Sequence, residues 1–185
     1  MRKLAGVVFF LLLFCGVLIQ GSYAYDIPQR QVTVKPYVNF FFPNNLWETE
    51  SFAPAVENKM GFGAGVKVRN QFTSSFGSVL NASYSSIEVT REASGDVTMF
   101  TAGGYYSRAL GAGTFIFDFS YGIIIAADES VGLLMPSLEY SRPISDRMSV
   151  ALELGWPIAN DWPRDFSFKE NYSSFTLSLG SVFVF

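Results

Sequence analysis

Beyond its N-terminal segment, the chain alternates apolar with small or polar side chains at every second residue, and no window keeps the period of an amphipathic helix. Successive side chains of a β-strand point to opposite faces, so this alternation gives each strand one apolar face. In the last stretch one face carries Phe175, Leu177, Leu179, Ser181, Phe183 and Phe185, and the other carries Thr176, Ser178, Gly180, Val182 and Val184. The chain is therefore predicted to be almost entirely β-sheet.

Eight segments show the alternation, and we predict one strand for each. They cover residues 32–42, 60–69, 76–87, 98–107, 114–126, 134–141, 148–156 and 175–185. The third and fourth are the weakest, and Gly103 and Gly104 leave the phase of the fourth open. Pro36 and Pro136 fall inside segments, where each removes a donor from the ladder, so we expect a bulge or a local break at both.

The links between these segments alternate in length, independently of the hydrophobic pattern. Long or polar links cover residues 43–59, 88–96, 127–130 and 157–172, and tight links cover 70–75, 109–112 and 143–146. Strands joined in this way form an up-and-down meander, and closing the meander removes its free edges. The pattern predicts an all-β, eight-stranded antiparallel barrel with all long links at one end and both termini at the other.

The two faces of the predicted strands differ in charge. The apolar faces carry no Lys, Arg, Asp or Glu, whereas the opposite faces carry Lys35, Lys67, Arg69, Asp118, Glu139 and Glu153 among Gly, Ser, Thr and Asn. A charge-free face suits contact with lipid, and small residues suit a narrow lumen. We predict a transmembrane barrel whose inward charges form a salt-bridge network. An acid/base pair of Glu139 and Glu153, or a role in gating a narrow pore, is the alternative.

Aromatic residues fall near both ends of the apolar faces. Phe76, Tyr106, Tyr140 and Phe183 lie near the tight links, and Phe42, Tyr121, Trp156 and Phe175 lie toward the long links. Two such girdles bracket membrane barrels at the lipid–water interfaces. The alternative is that these rings belong to the core of a soluble sandwich.

The N-terminal segment has the features of a cleaved secretory signal. Arg2 and Lys3 precede an uncharged run over residues 5–19, which is shorter than the ~20 residues of a spanning helix, and Ser22 and Ala24 fit a small-residue cleavage site. We predict a signal peptide over residues 1–24 and a barrel domain over 25–185. Cys15, the one cysteine in the chain, leaves with the signal.

Together these features resemble the small outer-membrane barrels of the OmpA transmembrane domain and OmpX type. The last strand is similar to the assembly signal of such proteins, through Leu177, Leu179, Phe183 and Phe185, although Ser181 departs from the pattern. The resemblance implies a location in the bacterial outer membrane. It also implies contact with outer-membrane lipid and with the barrel-assembly machinery through the last strand.

The sequence offers little for catalysis. The chain has no histidine, and the mature part has no cysteine. Barrel enzymes of the outer membrane, by resemblance, use a histidine beside a serine or a carboxylate, and a hydroxyl nucleophile needs such a base. We therefore predict no enzyme activity, no cofactor and no metal site, and the composition gives no sign of nucleic-acid binding.

The long links are the remaining place for function. They carry eleven acidic and four basic residues, a balance of −7, together with aromatic residues including Trp47 and Trp162. We predict a structural, interaction or adhesion role at the cell surface, with the ligand left open. A narrow porin-like channel and a soluble periplasmic or secreted lipid-binding barrel are the alternatives.

Overall fold

The protein is described by a computed structural model over residues 31–43, 60–88, 94–126, 129–159 and 172–185. This part of the chain forms a single antiparallel sheet. Its strands are β1 Val32–Pro43, β2 Gly61–Gln71, β3 Phe76–Glu88, β4 Ser94–Leu110, β5 Gly113–Ala126, β6 Glu129–Ser145, β7 Met148–Gly155, β8 Ile158–Ala159 and β9 Tyr172–Val184. Within these residues no helix is long and apolar enough to cross a membrane.

The sheet closes into a barrel of eight strand positions. Each strand pairs with the next along the chain, and β9 returns to pair with β1, for example through Val38 and Leu179. The short β8 continues β7, because both pair with β6 and β9 in one register on either side of Trp156 and Pro157. The predicted eight-stranded up-and-down barrel is confirmed.

Both mid-strand prolines coincide with local breaks in a ladder. Between β1 and β9 the pairing lapses at Lys35 and Pro36 and resumes in the same register, as expected where the donor is missing. Pro136 lies opposite the break between β7 and β8, where its carbonyl accepts a hydrogen bond from Trp156 N at 2.9 Å. The expected breaks are therefore present, and neither shifts the register.

The orientation of the side chains follows the predicted phases. Phe117 and Leu152 are 46% and 49% exposed on the outer face, whereas Asp118 and Glu153 beside them are 1% and 3% exposed in the lumen. A soluble lipid-binding barrel would have its apolar face inward. That alternative is wrong for this chain, because the exposed surface of the wall is apolar and the charges are enclosed.

Six of the seven predicted links are shorter in the structure, and two of the long ones show the reason. β4 begins at Ser94 and pairs with Glu88, and β5 and β6 pair up to Ala126 and Glu129. Backbone pairing does not depend on an apolar side chain, so the ladders extend into the polar residues at the long-link end. The ranges 88–96 and 127–130 were therefore too wide as links.

The alternation of inward and outward residues in β4 continues through its two glycines, and Gly103 lies on the inner face. A Cβ at Gly103 would lie 2.5 Å from Ser120 Cα and 2.9 Å from the carbonyl carbon of Phe119. At the outward Gly104 the nearest atom would be Gly77 O, at an ordinary 3.6 Å. Neighbouring backbone thus approaches more closely at Gly103 than any larger residue permits.

We expect Gly103→Ala to lower the free energy of unfolding by about 1–3 kcal/mol, because the new methyl group overpacks against the backbone of β5. Gly104→Ala is the matched control and is expected to change it by less than about 0.5 kcal/mol. Urea unfolding of both variants in the same detergent measures the difference. Equal effects of the two substitutions would contradict the close approach at Gly103.

Candidate functional site

Six charged side chains meet inside the barrel. They come from β1, β2, β5, β6 and β7, and each is between 0% and 4% exposed: Lys35, Lys67, Arg69, Asp118, Glu139 and Glu153. Every one occupies an inward position of its strand, so the alternation of the sequence brings all six to the lumen. They are the same six residues that the sequence indicated as inward charges.

The six groups form a closed ring in which cations and carboxylates alternate. Lys35 Nζ lies 2.6 Å from Glu139 Oε2 and also bonds Glu153, and Lys67 Nζ lies 2.5 Å from Glu153 Oε1 and 2.7 Å from Asp118 Oδ2. Arg69 completes the ring at 2.8 Å from both Asp118 Oδ2 and Glu139 Oε2. We call this set the charged ring. Each member has two oppositely charged partners, and the formal charge of the ring is zero.

The ring crosses the lumen because like charges are neighbours along the wall. Lys35 pairs directly with Lys67 between β1 and β2, and Glu139 pairs directly with Glu153 between β6 and β7. Like charges opposite one another in a ladder repel. The two lysines therefore reach across the barrel to carboxylates on the far wall, which ties β1 and β2 to β5, β6 and β7.

Arg69 holds the ring most firmly. Its Nε and Nη2 donate to the two oxygens of Asp118 at 3.2 and 2.8 Å, and its Nη1 and Nη2 donate to the two oxygens of Glu139, each at 2.8 Å. Such forked contacts match the planar guanidinium to a carboxylate, a geometry that lysine cannot supply. Ser137 Oγ adds a hydrogen bond to Asp118 Oδ2 at 3.1 Å.

Two inward tyrosines flank the ring, a role that the sequence did not indicate. Lys35 Nζ lies 5.3 Å from the centre of the Tyr37 ring, and the Arg69 guanidinium lies 5.8 Å from that of Tyr105. Both distances are within the range of cation–π attraction. The Tyr37 hydroxyl also donates to Asn81 Oδ1 at 2.7 Å. The alternation of the sequence places Tyr37 inward, but it does not predict that the aromatic side chain lies against Lys35.

A second, apolar layer fills the lumen toward the long-link end. Its residues are all inward-facing and buried: Phe41, Val97, Met99, Ile124, Leu133, Met135 and Ala159. We call this set the apolar plug. This layer was not predicted from the sequence, because the inner face was expected to hold charges among small and polar residues. The plug and the charged ring together occupy the lumen at two depths, and neither leaves its members exposed to solvent.

No protein-family model matches the sequence, and no curated protein matches it either. Solved structures do match, at low identity. Neisserial surface protein A aligns with a TM-score of 0.63 and 9% identity over 84% of this chain and 97% of that one. Outer membrane protein OprG from Pseudomonas aeruginosa gives 0.57 and 10% over 86% and 97%, and Ail of Yersinia pestis gives 0.52 and 11% over 85% and 100%.

The chain has the fold of a small outer-membrane β-barrel. The resemblance found in the sequence is thereby confirmed at the level of the fold. At identities near one residue in ten, these matches show the fold of the barrel alone.

The predicted girdle residues lie on the outside of the barrel. Near the tight links Phe76 packs on Tyr106 at 5.1 Å between ring centres, and Tyr140 packs on Phe115 at 5.0 Å. At the other end Phe42 stacks on Phe175 at 4.6 Å. The other three members, Tyr121, Trp156 and Phe183, are exposed on the wall. Adjacent strands thus bring outward aromatic rings into contact at both ends of the barrel.

The residues of the proposed assembly signal lie on the outer face of β9 and just beyond its end. Leu179, Phe183 and Phe185 are exposed, and Leu177 is half-buried. Phe185 N donates to Val32 O at 2.9 Å, which holds the chain end against the start of β1. The last strand therefore presents its alternate apolar side chains outward while its backbone closes the barrel.

The ring does not have the arrangement of a catalytic acid/base pair. Glu139 and Glu153 are neighbours, but each is bonded to two cations: Glu139 to Lys35 and Arg69, and Glu153 to Lys35 and Lys67. A carboxyl group that donates a proton must be free to hold one, and these oxygens accept from cations instead. Within the described ranges no group of three or more His, Cys, Asp or Glu residues is arranged to hold a metal ion.

Proposed function

We propose that the chain is a non-enzymatic integral protein of the bacterial outer membrane with a sealed lumen. Its role is structural, interactive or adhesive, and the long links at the cell surface perform it. The observation that carries the proposal is the filling of the lumen by the charged ring and the apolar plug. A barrel closed at two depths leaves its ends and its outer wall as the surfaces available to partners.

The outer wall supports membrane insertion. Its exposed residues include phenylalanines, leucines, isoleucines and valines from every long strand, and the described charges are enclosed or lie toward the ends. A soluble protein rarely exposes a continuous apolar surface of this kind, whereas a lipid-facing barrel requires one. Outer-membrane lipid is accordingly the first partner we propose.

The charge of the long links suggests the chemistry of a surface partner. One structure of Ail, matched at a TM-score of 0.50 and 13% identity, holds the heparin analogue sucrose octasulfate. Residues 43–59, 88–96, 127–130 and 157–172, which make up the long-link end of the barrel, carry a balance of −7, which repels such a polyanion. We propose a basic partner, or divalent cations that bridge the links to anionic headgroups.

We expect the purified barrel to produce no conductance steps in planar bilayers, because ions would have to pass both the charged ring and the plug. Regular single-channel steps at the protein concentration used for a porin control would support the channel alternative and contradict the sealed lumen.

Cell fractionation with a heat-modifiability gel tests the location: a band in the outer-membrane fraction that shifts on boiling is expected.

The last strand is proposed to engage the barrel-assembly machinery. We expect Phe185→Ala to lower the amount of folded barrel in the outer membrane several-fold while leaving refolding of the purified chain into detergent unchanged. Val184→Ala, one residue earlier on the other face, is the matched control. Equal loss in cells and in the refolding assay would make Phe185 a folding residue instead.

Export by a signal peptide over residues 1–24 is also a proposal, since these residues lie outside the described ranges. The intact mass of the protein purified from outer membranes tests it, and a chain that begins at Tyr25 is expected.

A further inference from the structure

We call the end of the barrel where the tight links lie the short-turn end. Arginines at this end have no acidic partner in the described part of the chain. Arg108 lies near the end of β4, Arg142 lies near the end of β6, and Arg147 lies in the turn that follows; all are exposed. No described carboxylate forms an ion pair with their guanidinium groups, although Asp146 is adjacent to Arg147 in the chain. In the charged ring, in contrast, every cation is paired with two carboxylates.

Two of these arginines lie on the lipid-facing side of their strands. Arg108 falls between Tyr106 and Leu110 on the outer face of β4, and Arg142 falls between Tyr140 and Ile144 on that of β6. Leu110 and Ile144 are 60% and 64% exposed and lie nearer the turns than the arginines do. The apolar outer surface therefore continues past both guanidinium groups.

A cation in that position needs a counter-charge that the protein does not supply. Long basic side chains near a membrane surface extend into the headgroup layer, where phosphate oxygens are the available acceptors. Guanidinium binds phosphate through two parallel hydrogen bonds. Arg108 pairs with Phe115 in the ladder and Phe115 pairs with Tyr140, so an interfacial aromatic pair lies between the two arginine positions.

We infer that Arg108 and Arg142, with Arg147 beside them, bind the phosphate of an anionic phospholipid in the leaflet at the short-turn end. The inference rests on the membrane placement proposed above and does not depend on the sealed lumen or on the role of the long links. The selective group is the lipid headgroup, because the apolar residues that precede each arginine, toward the middle of the barrel, contact acyl chains that both lipids share.

Native mass spectrometry of the folded barrel, released from mixed micelles of phosphatidylglycerol and phosphatidylcholine, tests the inference. The wild-type protein is expected to retain phosphatidylglycerol over phosphatidylcholine by about 25-fold, since each of the two arginines contributes roughly fivefold. Arg108→Gln/Arg142→Gln is expected to retain the two lipids about equally. Arg91→Gln/Arg164→Gln removes the same charge from two long links, which lie outside the described ranges, and is expected to keep the wild-type preference.

Equal retention by the wild type, or an unchanged preference in Arg108→Gln/Arg142→Gln, would overturn the inference. Displacement of the lipid by soluble glycerol phosphate would also overturn it, since the site would then bind free phosphate. If the double variant does not fold, each single variant is measured, and at least one must lose preference. Any of these failures leaves the location and conductance tests of the proposed function unaffected.

Discussion

Glu139→Ala is expected to lower the free energy of unfolding by about 3–5 kcal/mol, the cost of leaving a buried ion without its partner. Glu139 is fully buried and bonds both Lys35 and Arg69, so its removal leaves the ring with one uncompensated positive charge. Urea titration of the folded barrel in detergent, followed by the gel shift and by tryptophan fluorescence, measures the loss. Lys67→Ala is also expected to lower the free energy of unfolding, because it leaves the ring with one uncompensated negative charge.

Two further variants separate charge from packing. Glu139→Gln keeps the volume of the side chain and removes its charge. It is therefore expected to cause most of the loss in unfolding free energy that Glu139→Ala causes. Asp146→Ala removes an exposed acid from the turn between β6 and β7 and is expected to change stability by less than about 0.5 kcal/mol. Unchanged unfolding curves for both Glu139→Ala and Lys67→Ala would show that the ring contributes nothing to stability.

The ring also predicts that the stability losses of neighbouring single variants do not add up in the double variant. Lys35→Met/Glu139→Gln removes one cation and one adjacent carboxylate and leaves Glu153, Lys67, Asp118 and Arg69 as a neutral chain of ion pairs. The double variant is expected to lose less stability than the sum of the single variants, by about 0.5–3 kcal/mol, because no charge is left over. Strict additivity would mean that Lys35 and Glu139 do not interact.

The sequence predicted which face each residue occupies far better than which residues touch. Alternation is a local property, so Phe117 and Asp118 are assigned to opposite faces by their order in the chain alone. The bond between Lys35 and Glu153 joins residues 118 positions apart. It depends on the closure of the sheet and on the register of every intervening strand. No local pattern contains that information, and the pairing of individual charges was therefore not predictable.

The apolar plug shows a second limit of the pattern. By the parity of their predicted strands, Phe41, Ile124 and Met135 fall on the same face as the inward charges, but apolar residues were interpreted chiefly as lipid-facing. Val97, Leu133 and Ala159 lie outside the predicted strands, and Met99 lies in the weak segment 98–107, so four members of the plug had no assigned face. Hydrophobic periodicity records burial from water and does not distinguish contact with lipid from contact with a packed lumen.

Leu138→Arg is expected to lower the free energy of unfolding in lipid vesicles by about 2–4 kcal/mol, the cost of an arginine on the lipid face near the middle of a membrane barrel. Leu138 is 40% exposed on the outer face near the middle of β6. In water, an arginine on an exposed strand position costs little, because its guanidinium stays hydrated. The substitution therefore measures which solvent surrounds the wall.

Ile144→Arg provides the matched control, since it introduces the same residue on the same face of β6 near the tight turn. There the side chain reaches the headgroup layer, and a loss of no more than about 1 kcal/mol is expected. The difference between the two variants reports depth in the bilayer, because strand, face and introduced group are shared. Equal small losses would place the wall in water. Equal large losses would place the short-turn end inside the hydrocarbon, which the exposed Arg142 two residues away makes energetically costly.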